Sequence, residues 1–143
     1  KQGNKLILVG RGPDQEKLQE LARKLHIEQQ VILTGFQQNP YPFIKHAKLF
    51  VLSSLYEGFP NVLVEAMIIG RPVVAFNCPT GPNEILVGNL KTCLIQTGDL
   101  KALSSSIDMV NKNIVNDIKK RAESFDKKHL SKQWYDILGG EFF

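Results

Sequence analysis

Two cysteines, one tryptophan and three histidines in 143 residues leave little material for covalent staples or metal centres. Cys78 and Cys93 do not make a disulfide framework, and a reduced, cytosolic compartment fits such sparse usage best. His26, His46 and His129 have no partners at metal-ligand spacing. There is no Asp-x-Asp pair to hold a catalytic metal and no G-x-S-x-G elbow for a serine nucleophile. Gly10-Arg11-Gly12 lacks the third glycine of a dinucleotide fingerprint and the lysine of a P-loop. No apolar run approaches the roughly 18 to 20 residues of a membrane span. Metal hydrolysis, serine hydrolysis and dinucleotide redox chemistry are therefore poor readings.

What is present is ordinary for a globular domain: 43% apolar and 22% charged residues, net charge +4. The basic excess gathers toward the C-terminus, in Lys112, Lys119, Lys120, Arg121, Lys127, Lys128 and Lys132. It reads as a solvated helix face or a surface turned to a further domain. Peripheral contact with anionic lipid, at the inner face of a membrane, is the alternative. No base-stacking or groove-reading motif accompanies the charge, so nucleic acid is not expected as a partner. The chain starts without Met and enters an apolar run almost at once, which reads as a fragment of a longer protein.

Short, nearly continuous apolar runs at 6–9, 31–33, 49–52, 73–76 and 92–95 read as strands buried on both faces. Helical patterns separate them. Pro13 precedes one at 14–26 with Leu18, Leu21, Ala22 and Leu25 on one face. Others are expected at 41–47, 61–69 and 83–87. Asp99 caps a further helix carrying Leu100, Leu103, Ile107 and Val110, and a last helix carries Leu130, Trp134, Ile137 and Leu138. This β-α rhythm predicts an α/β fold, a doubly wound parallel sheet of the Rossmann-like kind. Residues 1–138 read as one domain and 139–143 as a tail. Ligands of such folds bind beyond the carboxyl ends of strands. That singles out 10–14, 34–40, 53–61 and 77–84.

The stretch SSLYEGFPNVLVEAM, residues 53–67, is the most informative. Pro60 suits the first turn of a helix, so Glu57 falls in the loop ahead of it. Glu65 falls a little over one turn inside, and helical side chains lean back toward the N-terminus. Both carboxylates can then flank a helix end whose N–H groups and partial charge suit an anion. Acceptor-only carboxylates suit hydroxyls. A diphosphate between two hydroxyl-bearing rings describes a nucleotide sugar. The bland alternatives are a surface Glu57 and a Glu65 that answers a nearby Lys or Arg; an unpartnered carboxylate in so apolar a helix would cost several kcal/mol.

EGFPNVLVEAM also resembles the E-x(7)-E signature of family 4 glycosyltransferases, in their C-terminal donor-binding domain. LILVGRGPDQEKL, VILTGF, GRPVVAFNCPTGPNEIL and AESFDKKHLSKQWYDIL resemble the flanking family segments, in order and over nearly the whole chain. The resemblance implies one half of a GT-B architecture, with the active site between two Rossmann-like domains. It implies metal-independent transfer of a sugar, with retention, from a nucleotide donor read here as a UDP-sugar. A glycan or lipid-linked acceptor would enter through an N-terminal domain. Glu57 would bind donor-sugar hydroxyls and be the catalytic choice, and Glu65 would hold the ribose. The backbone of Gly58, Phe59, Pro60 and Asn61 would line sugar and phosphates, Val62 and Leu63 the ribose-phosphate side. Gly10 and Gly12 would face the phosphate side, and Thr34, Gly35 and Phe36 the base. No cofactor or metal is expected. Arg11 departs from the family's usual acidic residue between these glycines; it either reverses a charge near the phosphates or points outward. Without the acceptor half, this chain is expected to bind donor weakly and transfer nothing. The rival readings are a nucleotide- or sugar-binding module without catalysis, and an α/β protein-interaction domain.

Overall fold

A computed structural model describes residues 3–109 and 112–126. The expected last helix with Leu130, Trp134, Ile137 and Leu138, the 139–143 tail, His129, Val110 and Lys127, Lys128 and Lys132 lie outside these residues. Two compact units divide the chain, Lys1–His46 and Ala47–Phe143.

In the first unit, β1 (Leu6–Val9) pairs in parallel with β2 (Val31–Gly35), joined through α1 (Gln15–Lys24); α2 (Tyr41–His46) follows. The elements match the sequence pattern, but their burial does not. Leu18, Leu21 and Leu25 of α1 stay exposed, and only Ala22 is buried. Leu6, Ile7 and Val9 of β1 are exposed on both faces of the strand rather than buried on both. The reason is geometric: in a two-stranded sheet both strands are edges, and the area is too small to cover an amphipathic helix.

The second unit meets the expectation. Three parallel strands, β3 (Phe50–Leu52), β4 (Val73–Asn77) and β5 (Leu94–Gln96), lie in the order β3-β4-β5. Central β4 has a ladder on each edge, and Val73, Val74, Ala75 and Phe76 are all buried. Val74, Phe76 and Ile95 form one core cluster with Leu49, Ala102 and Leu103 against it. The pleat turns Val73 and Ala75 to the opposite face. Parallel strands need crossovers, which α3 (Asn61–Ile68) supplies between β3 and β4. A four-residue α4 (Pro82–Ile85) and a 3-10 segment (Gly88–Cys93) do so between β4 and β5. α5 (Leu100–Met109) packs on β4 and β5, α3 on β3 and β4, and α6 (Lys112–Glu123) on α3. The parallel sheets flanked by helices make this an α/β Rossmann-like fold.

Local chemistry explains the element ends. Asp99 Oδ1 accepts the Ala102 N–H at 2.8 Å, the expected cap of α5. Yet Leu100 and Ile107 of that helix are exposed, and Leu103 with buried Ser106 takes the inward side. The 3-10 segment carries no periodicity to be read from sequence, and α6, not among the helices expected from sequence, has Ile114, Val115, Ile118 and Ala122 at helical spacing. α3 ends in a Schellman arrangement, with Gly70 N–H on Met67 O and Arg71 N–H on Ala66 O, both at 2.9 Å. Gly70 has φ 77°, and a Cβ there would lie 3.4 Å from Lys119 Cε. No helix among the described residues is long and apolar enough to cross a membrane. Gly70→Ala is expected to cost about 1 kcal/mol, read as a lower urea midpoint with unchanged slope; an unaltered midpoint would refute the account of this helix end.

Candidate functional site

Because β3 and β4 are parallel neighbours, the loops that leave their carboxyl ends emerge side by side. The first loop holds Glu57 to Pro60, and the second runs from Cys78 to Gly81. Two contacts weld them. Thr80 Oγ1 donates to the Glu57 carbonyl oxygen. Gly81, at φ 91°, lies so close beneath the first loop that a Cβ there would be 2.6 Å from both Gly58 O and Pro60 Cδ. Only glycine fits such an approach at a positive φ. Glu84 Oε1 accepts the Gly81 N–H at 3.1 Å and steadies the turn from below.

The first loop then delivers the chain into α3 with Pro60 as cap residue. No side chain caps this terminus, and Leu63 N–H turns back to Pro60 O at 2.9 Å. The donors ahead of it, on Asn61 and Val62, are left for a ligand or water. Asn61 is exposed and Pro60 buried, Val62 is half-buried and Leu63 fully buried. Glu57 and Glu65 are both half-buried. Among the described residues neither carboxylate meets a cation or a side-chain donor. No structural ion pair therefore accounts for Glu65 among those residues.

An open cavity of about 430 Å³ lies at the same sheet end, lined by Leu55, Tyr56, Asn77, Pro79 and Thr97. Leu55 and Tyr56 follow β3, Asn77 ends β4 with Pro79 beyond it, and Thr97 follows β5. Ser53 is exposed and Ser54 half-buried beside the end of β3. Cys78 is buried, with Sγ 3.5 Å from Thr80 O. Cys93 is buried too, and that burial pushes its thiol up, against a smaller lowering from Thr92. The raised Cys93 thiol is the opposite of an activated thiolate.

The remaining sequence-marked residues belong to the first unit, where two of the marked segments meet. Gly10 N–H donates to Gly35 O at 2.9 Å, with φ 132° at Gly10 and 67° at Gly35. Thr34 Oγ1 lies 3.1 Å from Gly35 O. Arg11 is exposed, its guanidinium 5.7 Å from the centre of the exposed Phe36 ring. Gly12 lines a cavity of about 280 Å³ between Leu8, Pro13, Leu18 and Leu33. No group of three metal-ligating side chains occurs among the described residues. His46 Nδ1 lies 2.7 Å from Pro42 O.

The sequence marks 77–84 as a ligand-side segment, but not that Gly81 underlies Gly58. The Gly81-Pro82 pair after a strand was the available signal, since it marks a turn. Tyr56 and Leu55 follow no periodicity that would single them out.

Residues 1–113 match the family model described as "Glycosyl transferases group 1". The chain belongs to this family. It is 49% identical over 86 residues, 60% of its own length, to an uncharacterized glycosyltransferase of Methanocaldococcus jannaschii, covering 21% of that protein. It is 33% identical over 142 residues to the lipopolysaccharide 1,6-galactosyltransferase of Escherichia coli K12, with 94% of the chain and 38% of the relative aligned. Among solved structures, Anabaena Alr3699/HepE in complex with UDP superposes with a TM-score of 0.80 at 25% identity. That match covers 99% of this chain and 42% of HepE. The chain thus spans less than half the length of these relatives, and its fold is that of GT-B enzymes.

The glycine contact separates two variants by stability. Gly81→Ala is expected to cost about 2 kcal/mol or more, since backbone and a proline ring must move and φ is positive. Gly58→Ala, with no heavy atom within 4 Å of its added Cβ, is expected to change stability by about 0.5 kcal/mol or less. Equal urea midpoints for the two would contradict the welded-loop geometry.

Proposed function

We propose that this chain is the nucleotide-sugar-binding part of a retaining glycosyltransferase. The reading is of the C-terminal donor-binding domain of a family 4 enzyme. The donor is a UDP-sugar, and the acceptor is a glycan or lipid-linked saccharide of the kind built in lipopolysaccharide or capsule synthesis. The acceptor is bound by an N-terminal domain, and, following the family resemblance, no metal is required. The observation that carries the reading is the N-terminus of α3, which no side chain caps, together with two half-buried carboxylates, Glu57 and Glu65, that meet no ion-pair or hydrogen-bond partner among the described residues. The lipopolysaccharide galactosyltransferase among its relatives and the UDP bound to HepE support it.

In this reading the N–H groups of the Asn61 end of α3 receive the diphosphate, and the helix partial charge favours it. As the bond between the anomeric carbon and the diphosphate oxygen breaks, negative charge grows on the leaving UDP. The same fixed donors stabilise that charge without reorganising. The acceptor hydroxyl oxygen then bonds to the anomeric carbon on the face UDP has left, and its proton passes to the departing diphosphate oxygen, giving the glycoside and UDP. Glu57 accepts from sugar hydroxyls and orients the ring, while Glu65 accepts from the ribose. Gly58 and Phe59 carry backbone past the sugar, and Val62 and Leu63 complete the ribose-phosphate side. Gly10 and Gly12 are assigned to the phosphates and Thr34, Gly35 and Phe36 to the base by the resemblance alone. The protein acts in the cytoplasm, with peripheral contact at the inner face of the cytoplasmic membrane as the place where a lipid-linked acceptor would be met.

Titration with UDP and a panel of UDP-sugars, followed by amide chemical shifts, tests this directly. Shifts are expected to centre on residues 57–65. Glu57→Gln is expected to weaken UDP-sugar binding about tenfold or more while sparing UDP, and Glu65→Gln to weaken both by a similar factor, as for hydrogen bonds to charged groups. Unchanged affinities in both variants would defeat the proposal.

A further inference from the structure

Arg121 belongs, by sequence, to the basic C-terminal end. The structure withdraws it from that surface. Its Nε donates to Ile85 O at 2.9 Å and Nη2 to Glu84 O at 2.8 Å, on the last turn of α4. Nη1 donates to Ser124 Oγ at 3.0 Å. A planar fork on two successive carbonyls is a geometry that lysine cannot copy. The same guanidinium lies 4.6 Å from the centre of the Phe125 ring. Phe125 in turn meets the Phe59 ring edge-on, with centroids 6.2 Å apart and planes at 61°.

Two routes therefore run from the end of α6 to the loop between β3 and α3. One passes from Arg121 through the Glu84 backbone and its carboxylate to Gly81, which underlies Gly58 and Pro60. The other passes through Phe125 to Phe59. Phe59 is 47% exposed, so core filling does not account for its placement. Its aromatic partner comes from a segment more than sixty residues away in sequence.

We propose that Phe125 and Arg121 are positioning residues for the donor loop: by clamping α4 and holding the Phe59 ring, they set the attitude of Glu57–Asn61 toward the nucleotide sugar. The inference rests on the donor-site reading above. Neither residue touches the ligand. Their effect on affinity passes through Phe59 and Gly81.

The test measures UDP and UDP-sugar dissociation constants by calorimetry on the full-length protein, at a temperature where every variant remains folded. Phe125→Leu is expected to weaken UDP-sugar binding about fivefold, the size of one aromatic pair. Phe125→Tyr, which keeps the ring, is expected to restore the parental value. Phe59→Leu is expected to weaken binding similarly, and the double variant no more than either single one. Arg121→Lys is expected to weaken binding with its charge retained. Parental affinity in Phe125→Leu, whatever its melting temperature, would overturn the coupling, as would multiplicative losses in the double variant. Should Phe125→Leu not fold, Arg121→Lys and Phe59→Leu decide: parental affinity in both overturns the proposal. Glu57→Gln and Glu65→Gln separate the two levels. Normal affinity in both removes the donor-site reading itself, whereas a loss in either with parental affinity in Phe125→Leu removes only the coupling.

Discussion

The close approach of the Gly58 carbonyl and the Pro60 ring to Gly81 is the constraint on which the candidate site depends. Parallel pairing of β3 with β4 brings the two loops to the same sheet end. Pairing alone would leave them as independent, exposed connections. Removing one Cβ lets backbone meet backbone, and Thr80 adds a hydrogen bond to the Glu57 carbonyl. The loop ahead of α3 is thereby over-determined by its neighbour. A ligand that meets it finds an ordered surface and need not supply the entropy of ordering it.

That order gives the two carboxylates their meaning. A half-buried Glu in an apolar helix is unfavourable unless partnered, and the described residues offer Glu65 no ion pair. The cost is the kind a protein tolerates where a ligand supplies the missing donors. In the proposed site such acceptors would serve a molecule that is anionic in one part and hydroxyl-rich in the next. The chain belongs to the group 1 glycosyltransferase family, and the proposed donor site draws its physical reason from a helix end that no side chain caps.

The two units differ in a way that residue type alone does not predict. LILV in β1 and VVAFN in β4 are both apolar runs, yet β1 is open on both faces while β4 is buried almost completely. An apolar run states a capacity for burial; the number of neighbouring strands and the helices over them decide whether it is used. Leu18, Leu21 and Leu25 show the same for a helix, since their stripe is amphipathic but only the adjacent Ala22 is covered.

From the sequence alone came the alternation of strands and helices, the start of α3 at Pro60 and Asn61, its stop at Gly70 and the Asp99 cap. These are local properties, fixed by φ restriction, capping chemistry and a 3.6-residue period, so neighbouring residues are enough to read them. The short 3-10 segment escaped because it has no period of its own; α6 was missed although Ile114, Val115, Ile118 and Ala122 stand at helical spacing. Tertiary structure decided that Gly81 lies under Gly58, that Arg121 leaves the basic surface for two backbone carbonyls, and that Phe125 meets Phe59. Each joins segments more than twenty residues apart, and a contact of that kind exists only once the sheet has set which loops are neighbours.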